Sequence, residues 1–323
     1  MNSQQMRAVV NTVYGSPDVL TISQVTIPEP RASEIRVKVH ATTVGRTDTC
    51  NLRAHPFFMR PASGLIHPKN PILGMDFSGT VDAIGKDVTA FSIGDRVFGL
   101  TPSIHGAHAE YVCIPHDCMV ANMPPSKSFA QVVVGEGAWY ANTYLQQFKP
   151  NVGDSILIYG ASGAIGVAAL QLAKIYGCDV TAVVSTRHLE LMRSLGADTI
   201  IDYTTQKLSS LNQSFDFILD AVGKFTYAEG KIFLKDNGVF SSTDLGPFYQ
   251  NLYLPFWTRL TKTKKMVMPM PRQDKHLMPF LSEHLESGDF KAVIDRKYSL
   301  PDIADAYRYV ETARKQGIVV IEV

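Results

Sequence analysis

The residues best equipped to do chemistry are the seven in the run Gly160-Ala161-Ser162-Gly163-Ala164-Ile165-Gly166. An apolar stretch, Ser155-Ile156-Leu157-Ile158-Tyr159, precedes them, and Val167-Ala168-Ala169-Leu170-Gln171-Leu172-Ala173 follows. That order reads as a buried strand, a glycine turn and a helix packed through small residues. Glycine in such a turn lets backbone N–H groups approach a pyrophosphate, and the helix N-terminus adds a favourable field. The bare pattern is weak, but its place between strand and helix makes it specific. The alternative is a tight turn with no ligand. Dinucleotide binding, and with it redox chemistry, is the expectation.

The second strand of such a unit decides which dinucleotide. An NAD site commonly ends that strand with an acid that bonds the ribose 2′-OH. Here Val180-Thr181-Ala182-Val183-Val184 ends in Ser185-Thr186-Arg187 with no acid. Arg187 can pair with a 2′-phosphate in bidentate geometry, and the two hydroxyls can add hydrogen bonds. It could also be a solvated residue at a helix start. NADPH is expected over NADH.

These residues need a scaffold, and the chain of 323 residues is long enough for about two domains with separate cores. The first 120 or so residues read as strands, among them Arg7–Val10, Ile35–His40, Phe77–Gly85, Val97–Leu100 and Ala109–Ile114. Pro124 and Pro125 punctuate a change of rhythm. Apolar strands then recur at Ile156–Tyr159, Val180–Val184, Phe217–Leu219 and Gly238–Ser241 with helical stretches between them, which implies a parallel sheet with helices on both faces. Helices are expected over Lys275–Glu286 and Asp302–Thr312, and a last strand at Ile318–Ile321. The expected division is a β-rich unit from 1–123 and 273–323, interrupted by a nucleotide unit over 124–272.

A net charge of +1 offers no global field for nucleic acid or an anionic membrane. No apolar run reaches the roughly 18 residues that span a bilayer, so no stable membrane insertion is expected. The polar start of the chain shows no signal-peptide pattern. Cys50, Cys113, Cys118 and Cys178 form neither a CxxC pair nor a disulfide-like framework, which points to a reducing cytoplasm.

Several further motifs stand in a telling order. Tyr14-Gly15-Ser16-Pro17-Asp18-Val19-Leu20 resembles the N-terminal hairpin signature of the zinc-free branch of the medium-chain dehydrogenase/reductase superfamily, its quinone oxidoreductase and enone reductase group. Pro71-Ile72-Leu73-Gly74-Met75-Asp76-Phe77-Ser78-Gly79-Thr80-Val81, Gly94-Asp95-Arg96-Val97-Phe98-Gly99 and Gly106-Ala107-His108-Ala109-Glu110-Tyr111 resemble its β-domain motifs. Gly196-Ala197-Asp198 and Ile201-Asp202-Tyr203 match its pattern after the second nucleotide-domain strand. The resemblance covers nearly the whole chain and implies an α/β fold in which a Rossmann doubly wound parallel sheet is inserted into a GroES-like β-rich catalytic domain. The implied cofactor contacts are Ala161, Ser162, Gly163, Ala164, Ile165 and Gly166, then Ser185, Thr186, Arg187 and Tyr203, with Val222 and Tyr140. A homodimer is a further expectation from the family.

Zinc-dependent members of the superfamily place a catalytic Cys before a hydroxy residue and Asp, and a His-Glu pair in the central motif. This chain has Gly45 and Met75-Asp76 there and lacks the four-cysteine zinc lobe. Catalytic zinc wants three protein ligands and an open position, which these residues cannot supply, so no metal is expected. His105, His108 and Cys113 could suggest another metal site, but a loop entering a strand explains them more simply. Without a Lewis acid, charge on a single carbonyl oxygen is hard to stabilise. A quinone or conjugated enone spreads that charge and needs only modest hydrogen-bond polarisation.

The group that polarises or protonates such a substrate is left open. Some relatives use a Tyr in the loop after the first Asp motif, and Asn51–Met59 contains none. Arg46, Thr47, Arg53 and His55 are candidates, with water able to protonate the α-carbon; Arg53 and His55 can equally be exposed loop residues. Asp48 reads as a residue that fixes loop geometry. Tyr140 stands where relatives often have a Thr near the nicotinamide ribose; it could keep that role, donate a proton, or be a buried aromatic at a helix start. Glu136 has no role that the sequence assigns. Phe57, Phe58 and Met59, and the uncharged stretch Leu245–Trp257, would make apolar walls for a small, conjugated apolar substrate, the second stretch, followed by Arg259, Lys262, Lys264 and Lys265, serving as a substrate lid or a dimer edge in preference to a peripheral membrane contact. An NADPH-dependent quinone or enone reductase is the leading expectation. The alternatives are a dehydrogenase of another small carbonyl or alcohol, or an NADPH-binding sensor with little turnover.

Overall fold

A computed structural model describes residues 4–57, 60–261 and 264–323. Phe58, Met59 and Lys262, named above, lie outside the described residues. The chain divides into two units, one running to Glu136 and resuming at Gln273, the other spanning Gly137–Arg272.

In the first unit, alternation in the strand Glu34–Thr43 puts Ile35, Val37 and Val39 on one buried face. That strand is central. It pairs antiparallel with Asp76–Ile84, Tyr111–Pro115 and Ile318–Glu322. Arg96–Leu100 and Met119–Asn122 extend the sheet beyond Asp76–Ile84, and Ile294–Ser299 lies parallel to Ile318–Glu322 at the other edge. Phe77, Val81, Val97 and Ile114 close the core on one side. On the other, the helix Ile303–Glu311 turns Ile303, Ala306, Tyr307 and Val310 inward at helical spacing, against Val44, Leu52 and Val319. This packing seats the short helix Arg46–Arg53.

The second unit holds six parallel strands, in the order Thr199–Asp202, Asp179–Val184, Ser155–Tyr159, Phe215–Asp220, Leu234–Ser242, Lys265–Val267. The four inner strands match the apolar runs. The two outermost are short and carry little apolar pattern of their own. The helix Ala164–Ile175 follows the central strand and buries Val167, Ala168, Leu170 and Leu172. The uncharged stretch becomes a 3₁₀ turn, Pro247–Tyr249, and a helix, Gln250–Leu260, with Asn251 and Thr258 buried and Phe248, Phe256 and Trp257 exposed.

The first crossing between units falls at 136/137, later than the expected 123/124. The prolines change the rhythm, but the segment after them stays with the β-rich unit. Phe129 stacks on His40 with ring centroids 4.3 Å apart, and its carbonyl accepts from Ser78 Oγ at 2.9 Å. The Glu136 N–H then donates to Asp76 Oδ1 at 2.8 Å.

Candidate functional site

In the nucleotide unit, the glycine loop leaves the strand Ser155–Tyr159 at its C-terminal end. Gly160 has φ +75°, and a Cβ there would lie 2.4 Å from Val222 Cγ1. Val222 is held over the turn because Asp220 Oδ1 accepts from the N–H groups of Val222, Gly223 and Lys224 at 3.0–3.3 Å. A Cβ at Gly166 would meet Gly160 O at 2.4 Å and Ala161 Cα at 2.6 Å, so the helix rides directly on the turn. Gly163, the helix N-cap, differs: the nearest atom to a Cβ there is 3.9 Å away. A tight turn, an open approach to the backbone and close helix packing are the three jobs that a pyrophosphate loop divides among its glycines. The loop therefore fits a dinucleotide.

Ser185 is half-buried and Thr186 and Arg187 are exposed, at the C-terminal end of Asp179–Val184. Asp202 ends the neighbouring strand and is the nearby acid that could have competed for a ribose. Its carboxylate instead accepts from Thr186 Oγ1 at 2.6 Å and from Thr204 N and Oγ1 at 2.9 and 2.6 Å. Those bonds, Thr186 first, hold it below the usual carboxylate range. Arg187 Nε donates to His188 Nε2 at 2.9 Å. Tyr203 is exposed, with its ring 6.2 Å from that of Tyr159. Tyr140 is half-buried on the helix Gly135–Phe148, beside the Trp139 ring at 5.2 Å.

In the β-rich unit, the motif Val44-Gly45-Arg46-Thr47-Asp48 enters the helix Arg46–Arg53. Asp48 is 1% exposed and accepts from Gly45 N at 2.8 Å and Gly74 N at 3.2 Å, which ties the two motifs together. This is the geometric role expected of it. Asp76 is 2% exposed; its oxygens accept from Thr43 Oγ1 and Glu136 N, both at 2.8 Å. Burial, with the charge of Glu136 second, pushes its carboxyl up to about 8.

Glu136 is the residue that the sequence left without a role. A Cβ on Gly45 would sit 1.8 Å from Glu136 Oε2 and 2.8 Å from Oε1. The carboxyl group thus fills the space that a cysteine at residue 45 would need. It accepts hydrogen bonds from the side chain and backbone of Thr47, and Lys315 faces it as the nearby cation. Burial, then the charge of Asp48, raises it above the usual carboxylate range. Lys315 Nζ donates to Gly317 O at 2.6 Å, and burial lowers its ammonium. Neither Glu136 nor Lys315 carries a motif signal. Only the pairing of sheet and loops places them beside Gly45.

The other expected residues scatter. Arg46 is exposed at the helix start. Arg53 gives Nη2 to Glu311 Oε2 at 2.8 Å and its Nε to the other oxygen, which commits it to an ion pair instead of the carbonyl-polarising role expected of it. His55 and Phe57 are exposed, and Arg60 stacks on Phe57 at 4.8 Å. His108 is fully buried between Thr43 O, which accepts from Nε2 at 2.9 Å, and the Tyr307 hydroxyl at 3.3 Å from Nδ1. Burial lowers it to about 4, so it is neutral near pH 7 with both nitrogens committed. Cys113 Sγ contacts Pro28 O instead of either histidine. Among the described residues no group of three His, Cys, Asp or Glu side chains is placed to hold a metal ion. None of their helices is long and apolar enough to cross a membrane.

Known proteins resemble this chain along most of its length. The family model for an alcohol dehydrogenase GroES-like domain matches residues 31–125, and that for a zinc-binding dehydrogenase matches residues 195–321. The chain is 31% identical to a 2-methylene-furan-3-one reductase of Solanum lycopersicum, over 98% of this chain and 79% of that protein. It is 30% identical to an NADPH-dependent alkenal/one oxidoreductase, chloroplastic, of Arabidopsis thaliana, over 98% of this chain and 80% of that one. The solved structure of a quinone oxidoreductase from Coxiella burnetii superposes with a TM-score of 0.88 at 26% identity, covering 99% of this chain and all of the other.

Proposed function

This chain belongs to the zinc-independent quinone oxidoreductase group of the medium-chain dehydrogenase/reductase superfamily, and from that premise we propose that it is an NADPH-dependent reductase of quinones or α,β-unsaturated carbonyl compounds. It is an oxidoreductase that takes a nicotinamide cofactor. The observation that carries the substrate class is the Glu136 carboxyl in the space a metal-ligating side chain at residue 45 would occupy. A site with no Lewis acid favours acceptors that delocalise the incoming charge.

When bound, NADPH supplies a hydride from its nicotinamide ring. The chain's own work is to bind and orient. The backbone from Ala161 to Gly166 cradles the pyrophosphate, with Val222 shaping the turn. Ser185, Thr186 and Arg187 take the 2′-phosphate, and Tyr203 flanks the same end. Tyr140 takes the ribose position of the nicotinamide half. Arg46 remains to polarise a carbonyl, the Thr47 hydroxyl, also expected in that role, being committed to Glu136. A homodimer and a cytoplasmic setting complete the reading, the second supported by cysteines that form no disulfide among the described residues.

Oxidation of NADPH against quinones, enones and saturated aldehydes tests the substrate class. Turnover confined to the first two is expected; turnover of aldehydes alone, or none despite tight NADPH binding, overturns it. Arg187→Ala tests the cofactor. A charge-assisted contact is worth about 1.5–3 kcal/mol, so NADPH binding should weaken roughly 10- to 100-fold while NADH binding changes less than about twofold. Equal losses for both would refute the assignment.

A further inference from the structure

We infer that the turn Pro247–Tyr249 and the helix Gln250–Leu260 form a face that docks peripherally on an anionic lipid bilayer. The face belongs wholly to the nucleotide unit. Its helix is built the wrong way round for core packing. Asn251 and Thr258 are the buried residues: Asn251 Nδ2 donates to Asp244 O at 2.7 Å, and Thr258 Oγ1 accepts from Met266 N at 3.1 Å. Leu252, Tyr253, Phe256, Trp257 and Leu260 are left exposed, at the spacing of one helical side. Ahead of them Phe248 is 95% exposed, and it and Tyr249 hold left-handed φ values of +52° and +55°. Bulky residues seldom adopt that conformation, and two in succession carry the Phe248 ring into solvent. An exposed apolar patch with a polar rim marks a partner.

The charge of the rim selects that partner. Residues 245–265 include Arg259, Lys262, Lys264 and Lys265 and no acid. Arg259 follows Leu252 and Phe256 at i+7 and i+3, so it borders the apolar side on one flank. On the other flank a groove of about 660 Å³ separates the helix from residues 227–232, lined by Tyr227, Ile232, Leu254 and Trp257 with Lys231 and Lys264. Lys264 donates to Leu234 O, while Lys231, Arg259 and Lys265 pair with no carboxylate among the described residues. Acids of the adjoining elements are engaged locally, Glu229 on Thr226 N and Oγ1 at 2.8 and 2.6 Å and Asp244 on Gly246 N at 3.1 Å. Trp, Phe and Leu on one side, edged by Lys and Arg, is the pattern of a helix lying at the headgroup boundary. The apolar side chains enter the acyl region, and the cations on both flanks meet anionic headgroups. A second copy fits less well, because a two-fold pairing through this face sets the cationic rim against itself. The contact that sequence alone ranks behind a lid or dimer edge is thus the favoured one.

The test is co-sedimentation of the full chain with vesicles of phosphatidylcholine alone or mixed with phosphatidylserine. Binding to the anionic vesicles should be at least about tenfold tighter than to the neutral ones, and should weaken as salt is raised. Arg259→Ala/Lys265→Ala should lose roughly fivefold per charge, about 25-fold together. Phe248→Ser/Phe256→Ser should lose at least about tenfold while melting within a degree or two of the wild type, both side chains being exposed. Of the two tryptophans only Trp257 is exposed, so a blue shift of emission on adding anionic vesicles, missing in Trp257→Phe, reports contact through this face. A wild type that ignores both kinds of vesicle, or binds them equally, overturns the proposal. So does unchanged vesicle binding in the two double variants, or a dimer in sedimentation velocity that Phe248→Ser/Phe256→Ser dissociates, which gives the face to a second copy. None of these outcomes bears on the reductase reading, which NADPH oxidation tests separately.

Discussion

Gly166→Val abolishes NADPH binding and destabilises the nucleotide unit by roughly 3 kcal/mol or more, the range of severe overpacking. The first β-carbon would already lie 2.4 Å from Gly160 O and 2.6 Å from Ala161 Cα. Both are backbone atoms of the turn, so no side-chain rotation relieves the clash. The helix Ala164–Ile175 must lift from the strand Ser155–Tyr159, uncovering Val167, Leu170 and Leu172. Gly163→Ala is the informative companion, because its methyl group meets nothing closer than 3.9 Å. That variant should melt within a degree or two of the wild type yet bind NADPH at least tenfold more weakly, since its methyl enters the approach to the pyrophosphate. Thermal unfolding by circular dichroism and NADPH titration by fluorescence separate the two effects. A Gly166→Val protein with wild-type melting and affinity would refute this account of the loop.

Asp76→Asn should make the protein more stable at neutral and alkaline pH. The native carboxyl is raised from 3.8 to about 8, chiefly by burial and next by the charge of Glu136. Below the unfolded value both states hold the proton, and this group adds no pH dependence. Between the two values the native state keeps a proton that the unfolded chain has released. Stability therefore falls as pH rises through that window, by at most about 1.4 kcal/mol per unit. Relaxation around the site reduces this, and a difference on the order of 2–3 kcal/mol by pH 8 is expected. The amide introduced by Asp76→Asn can still accept from Glu136 N and donate to Thr43 Oγ1, so the fold is kept. Urea unfolding of both proteins from pH 5 to 8 reads the effect as a gap that widens with pH. His108 titrates in both proteins and cancels in the comparison, whereas the couplings of Asp76 to Glu136 and Asp48 are lost in Asp76→Asn and belong to the gap. A gap that stays constant, or narrows with pH, would show that Asp76 is not held protonated.

These two sites also mark where a one-dimensional reading succeeds. The glycine loop is legible because strand, turn and helix are consecutive, and each local choice agrees with the next. The inner parallel strands are legible because both their faces are buried, leaving unbroken apolar runs. The edge strands Thr199–Asp202 and Lys265–Val267 are not, being short and partnered on one side only. Arg187 and Asp202 show a middle case. The absence of an acid after Val184 is visible in the chain, whereas the bonds that tie Asp202 to Thr186 and Thr204 depend on the pairing of two parallel strands.

The nucleotide loop, the alternation of strand and helix, and the loss of the zinc ligands at Gly45 and Met75 are all written in the chain. Each is a property of residue types within a short window. What stands in the vacated space is settled in three dimensions. Glu136, Asp76 and Lys315 come from three distant stretches of chain to the motif that carries Gly45 and Asp48. Their chemistry arises from that meeting: burial and neighbouring charge set the proton affinity of a carboxyl group, and neither exists until the sheet has formed.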